Sequence, residues 1–297
     1  MALAAPVVVA QRPRARIFAI PGYWHLLSLD APTVAILWAW ALGRAAHVRS
    51  SPGATVILGI GTWLIYIADR LLDGRSSARA ANLRERHLFH ARHRKPLLVA
   101  GSIACAPLLW LIAARMSVEA RREDTLLFAA SMLYFAVVHL RPLPIPSPFR
   151  REFAVGIIFA CATAIPAWST PGVSHRELLL PVLLFAALCC LNCLAIDDWE
   201  SSQPSTLRRF PVSSAALVVA AGAAALTLDA VLHQPSSAGL DAAGLLSALI
   251  LFALHRLHRR SAGGFEPISL FALRIAADAA LLTPLLLLLP WHTSWLA

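Results

Sequence analysis

The sequence predicts an all-α protein, a polytopic membrane bundle of nine transmembrane helices. Three observations carry that prediction. Apolar residues make up 58% of the 297-residue chain and charged residues 14%, where a soluble domain runs at about 45–50% and about 25%. The apolar residues fall into nine stretches that cover nearly the whole chain. Lys and Arg are concentrated in alternate connections between those stretches, as the positive-inside rule requires of a membrane protein.

The stretches lie at about 26–43, 53–68, 96–114, 125–140, 153–168, 177–196, 212–233, 239–254 and 268–290. Several fall short of the ~20 residues that cross a bilayer perpendicularly, so their ends are expected to extend into polar flanks that line a wet cavity. The first opens on Leu29-Asp30-Ala31-Pro32, and the second runs into Asp69-Arg70-Leu71-Leu72-Asp73. The third and fourth carry Trp110 and Tyr134, and the fifth ends at Trp168. The sixth exits through Asn192-Cys193-Leu194-Ala195-Ile196-Asp197-Asp198-Trp199-Glu200. The eighth runs into His255 and His258, and the ninth holds Arg274 and Asp278 in its middle. Trp24, Trp110, Trp168, Trp199, Trp291 and Trp295 fall near span ends, where an interfacial aromatic belt belongs. Residues 1–24 read as a disordered basic tail, 25–292 as one membrane domain and 293–297 as a C-terminal tail. The apolar start precedes Arg12, Arg14 and Arg16, the reverse of the order in a cleaved signal peptide.

Orientation follows from the basic residues. The N-terminal tail and the 2–3, 4–5, 6–7 and 8–9 connections carry 19 of the 26, and the 2–3 connection alone has Arg75, Arg79, Arg84, Arg86, Arg92, Arg94 and Lys95 beyond Arg70. The N-terminus is therefore expected in the cytoplasm and the C-terminus outside. The excess of Arg over Lys and the abundance of Ala suggest a bacterial cytoplasmic membrane. Topology accounts for the net charge of +10 without nucleic acid. The five cysteines all sit in apolar stretches, where a free thiol packs as a small hydrophobe.

Both acidic clusters then fall on the cytoplasmic side. Asp69 and Asp73, four residues apart, share a helix face. Asp at a helix C-terminus is opposed by the helix dipole, which asks for a compensating cation. Mg2+ takes one or two carboxylates together with substrate phosphates. In the second cluster, Asn192 and Glu200 lie on one face at i and i+8, flanked by Asp197 and Asp198. The competing reading of both clusters is a solvated polar helix end. Arg274 and Asp278, at i and i+4, are expected to face the bundle interior and to pair with each other or with a group on the first span, Asp30 among them. They suit a buried structural bridge, a polar pocket, or a small-solute transporter.

The layout and the two clusters resemble the UbiA superfamily of intramembrane prenyltransferases, over residues 25–290. Asp69-Arg70-Leu71-Leu72-Asp73 matches the second half of that family's first motif, with Ile65 and Tyr66 where its Asn and first Asp stand. Asn192 and Glu200 match the outer positions of the second motif, and Ile196 replaces its central Asp. Leu29-Asp30-Ala31-Pro32, Tyr134 with Arg141, Phe153-Ala154-Val155-Gly156 and Thr206-Leu207 are supporting matches. The resemblance implies a prenyltransferase that ionises an isoprenyl diphosphate with Mg2+ held by Asp69, Asp73, Asp198 and Glu200, or a terpene-cyclase-like variant. It implies Asn192 and Asp197 as orienters, and a 2–3 loop whose Arg84, Arg86 and His87 touch diphosphate together with Arg70. Tyr134 and Arg141 would contact substrate. The same 74–95 loop suits anionic lipid headgroups. A lipid-binding protein without catalytic activity on the same scaffold is the alternative.

Overall fold

The computed structural model describes residues 19–49, 51–73, 85–140, 151–200, 212–233, 235–261 and 268–288. Among the described residues the chain is helical and has no strand. The helices are α1 (Ala19–Leu26), α2 (Asp30–Ala45), α3 (Pro52–Asp73), α4 (Glu85–Arg92), α5 (Arg94–Arg115), α6 (Val118–Leu140), α7 (Arg151–Trp168), α8 (His175–Glu200), α9 (Val212–His233), α10 (Pro235–Ser261) and α11 (Leu270–Ala280), followed by a 3₁₀ turn at Thr283–Leu288. Each apolar stretch read from the sequence carries helix. Among the described residues five helices are long and apolar enough to cross a membrane, and a sixth crossing is made if the bent pair α1–α2 counts as one. The chain is a helical integral membrane protein.

Local sequence explains the starts. Pro52 occupies the first position of α3, where its missing N–H costs nothing, and the Ser51 hydroxyl caps the helix by accepting from Ala54 N at 3.1 Å. The Ser117 hydroxyl accepts from Ala120 N in the same way at the start of α6. The outer faces of α5, α6 and α9 expose Ile103, Leu109, Leu126, Leu133, Val218 and Leu228. Apolar surface on this scale is stable only against lipid or another apolar partner.

α8 is the centre. It packs on α7, α9, α10 and α11, while α2 fills the space between α3 and α7. The core closes where Trp38 stacks on Phe185 at 4.2 Å with both rings fully buried. The Trp38 indole N–H donates to the Leu281 carbonyl at 2.8 Å, which anchors α2 to the end of α11. α7 meets α8 so closely at Gly156 that a Cβ there would lie 2.6 Å from Cys190 Sγ, the small-residue packing by which helices associate in lipid.

Two departures from the sequence reading shape the interior. Ala19–Trp24, read as tail, are helical and part of the fold. The first span, read as one rod from residue 26, is instead broken, with α1 turning 91° from α2. Ser28 sits in the break with φ +55°, a left-handed conformation that a non-glycine residue adopts only where neighbours enforce it. The backbone supplies the enforcement locally, because Ser28 closes α1 as a Schellman-type end, with Leu29 N donating to Trp24 O at 2.9 Å and Ser28 N to His25 O at 3.1 Å. Trp63 of α3 donates its indole N–H to Leu27 O at 3.1 Å, and Ser28 Oγ meets His90 Nε2 of α4 at 3.3 Å, which tie the break to the bundle.

Candidate functional site

The broken first span turns His25 inward. Its side chain is completely buried, with Nδ1 2.8 Å from Asp30 Oδ2 and 3.2 Å from Asp278 Oδ2. Asp30 stands in the first turn of α2, where the helix dipole favours a carboxylate, and its Oδ1 accepts from Ala31 N at 2.9 Å. Asp278 comes from α11, and its Oδ1 accepts from Asn192 Nδ2 of α8 at 3.1 Å. Four helices thus deliver one imidazole, two carboxylates and one amide to a single buried point.

A second polar contact lies beside it. Arg274 of α11 forms an ion pair with Glu200 at the end of α8, with both side chains buried. Asn192 and Glu200 therefore occupy one face of α8, and Arg274 and Asp278 one face of α11. The two faces meet antiparallel: Asn192 to Asp278 and Glu200 to Arg274. Asn192 and Glu200 are about 12 Å apart along α8, and Arg274 and Asp278 about 6 Å along α11. The long guanidinium and glutamate stems make up the difference.

This pairing corrects two expectations. Arg274 and Asp278 do not pair with each other, because each is claimed by a different group on α8 or on the first span. Glu200 does not point a free carboxylate toward a metal, because Arg274 occupies it. The rest of the second cluster also diverges. Successive helical residues point 100° apart, so Trp199 faces α10, where its N–H donates to His255 Nδ1 at 3.2 Å. Asp198 Oδ2 is 3.8 Å from the same His255 nitrogen, beyond hydrogen-bond range.

In the first cluster Asp69 Oδ2 accepts from its neighbour Arg70 at 3.0 Å. The Arg70 guanidinium is buried, 5.8 Å from the Tyr66 ring centroid. Tyr66 continues edge-on to Phe159 of α7 at 6.2 Å, and Phe159 to Phe185 at 5.9 Å, an aromatic run from α3 to α8. Over this end lies α4, packed on α3, α1 and α5. Its His90 is completely buried, with Nδ1 2.7 Å from Arg86 O.

Other expected residues stand apart or beyond description. Tyr134 lies on α6, which packs on α7 and α3 rather than on the polar centre. Asp197 lies on the last turn of α8. Arg84 and Arg141, and the side chains of Asp73 and His87, lie outside the described residues. Sequence reasoning missed His25, whose one signal was its position five residues before Asp30 at the mouth of the first span.

No family model matches the chain, and no curated protein or solved structure matches it.

Proposed function

We propose that the chain is a divergent UbiA-like prenyltransferase that takes an isoprenyl diphosphate where α3, α4 and α8 end. Nine spans, a cytoplasmic N-terminus, an external C-terminus and a bacterial inner membrane belong to the same reading. So does lipid contact by the basic 74–95 segment. The observation that carries it is α4, which holds Arg86 and the buried His90 and packs on α3, the helix of Asp69 and Arg70.

Diphosphate needs cations and donors. Arg70 and Arg86 offer planar donor forks that match phosphate oxygens. Asp69, to which Arg70 already donates, and Asp198 would take Mg2+, with Asp73 one turn beyond Asp69; Glu200 is set aside, since its partner Arg274 is buried with it. When bound, Mg2+ neutralises the charge that develops on the departing diphosphate. The reaction breaks the allylic carbon–oxygen bond, the electron pair leaves with diphosphate, and an acceptor forms a bond to the allylic cation and loses a proton. Tyr66 and Phe159 offer π faces to that cation, and the apolar helix walls keep water away.

A specific observation favours the second reading, a lipid-binding protein without transferase activity. Arg70 and Arg274 already compensate two of the four acids expected to hold metal. One experiment separates the two: binding of a non-hydrolysable isoprenyl diphosphate analogue to purified protein, with and without Mg2+, for wild type and Asp69→Ala/Asp73→Ala. Tight binding that needs both Mg2+ and the aspartates supports the transferase. Binding indifferent to both leaves the lipid-binding reading.

A further inference from the structure

We propose that His25, Asp30 and Asp278, with the amide oxygen of Asn192, form a divalent-cation site of mixed nitrogen and oxygen donors, separate from the acidic helix ends and independent of the transferase reading. The donor atoms of His25, Asp30 and Asp278 all lie within 4.8 Å of one another. Donors held about 2.1 Å from one ion stand about 3.0 to 3.4 Å apart in octahedral or tetrahedral arrangement. The two His25 distances, 2.8 and 3.2 Å, are close to that spacing.

Unused binding capacity points the same way. Asn192 is 7% exposed, and its Nδ2 is fixed on Asp278. Its Oδ1, on the same planar amide and so beside the same carboxylate, has no hydrogen-bond partner among the described residues. His25 Nε2 has none either. A buried amide oxygen without a partner is destabilising, and a cation is the ligand that would take it together with two carboxylates.

Charge gives the valence. Asp30 and Asp278 share one imidazole. Arg274, the nearest guanidinium along α11, is committed to Glu200. His90 adds no charge here if its Nδ1 donates to Arg86 O and its Nε2 accepts from Ser28. An imidazole that ligates an ion is neutral, so the two carboxylates bring two negative charges to the bound site. A divalent ion balances them. The imidazole nitrogen favours Zn2+, and to a lesser degree Mn2+, over Mg2+.

The protein, purified in detergent and stripped with chelator, is titrated with Mn2+, and free Mn2+ is followed by electron paramagnetic resonance. One Mn2+ per chain is expected, displaced by Zn2+ and left in place by a tenfold excess of Mg2+. His25→Ala and Asp278→Asn should weaken it about 100-fold or more, and Asn192→Ala about 10- to 100-fold. Asp69→Asn and Asp198→Asn should retain it, which separates its failure from failure of the diphosphate site. If a variant does not fold, pulsed spectra of Mn2+ on the wild type decide: coupling to one imidazole nitrogen is expected. No tight Mn2+, binding unchanged in His25→Ala, or a bound ion without nitrogen coupling would overturn the site and leave a proton shared between the two aspartates.

Discussion

Glu200→Gln should be among the most damaging single substitutions in this protein. Arg274 is 6% exposed at its side chain and Glu200 4%, so neither charge is solvated by water. Removing one partner leaves the other charged and buried, a cost of about 3–5 kcal/mol, or roughly 10²- to 10⁴-fold in the folding equilibrium. Replacing both by apolar or neutral residues of similar volume removes the buried charge altogether. Glu200→Gln/Arg274→Met should therefore regain most of the loss, with a coupling energy of about 2 kcal/mol or more. The assay is reversible unfolding in mixed micelles, followed through the tryptophans, for wild type, both single variants and the double variant. An exposed ion pair contributes about 0.2–1 kcal/mol. A single-variant cost in that range with coupling near zero would refute the antiparallel pairing of α8 and α11.

Two further predictions test the packing. Trp38→Phe keeps the stack on Phe185 but strands the Leu281 carbonyl, and should cost about 1–3 kcal/mol by the same unfolding measurement. Gly156→Ala places a methyl 2.6 Å from Cys190 Sγ and 2.8 Å from Cys190 N, so backbone must move and about 1–3 kcal/mol is lost. The control, Gly61→Ala, meets nothing within 4 Å and should be neutral or stabilising; equal effects at the two positions would contradict the close approach of α7 to α8.

Much of this was legible in one dimension. Composition and apolar run length determined an all-helical membrane protein, because lipid leaves the backbone no partner but itself. Helical periodicity placed Asn192 with Glu200 and Arg274 with Asp278, each pair on one inward face. It also made Asp30 a candidate for the last span, and Asp278 does lie with Asp30 and His25. Periodicity says which residues share a face and nothing about which face it meets. Only the packing of α8 on α11 decided that Glu200 takes Arg274 and Asn192 takes Asp278.

The break in the first span was hidden for a similar reason. No proline or glycine marks residues 27–29. The left-handed Ser28 ends α1 through local backbone bonds without the usual glycine, and the contacts that seat the break in the bundle come from Trp63 and His90, elsewhere in the chain. The inward turn of His25 depends on that break, so the buried polar centre became visible only with the fold. Sequence determined the environment and the faces through local periodicity and solvent. Tertiary structure alone decided the partners, because a buried charge takes whichever opposite charge or donor the packing brings within reach.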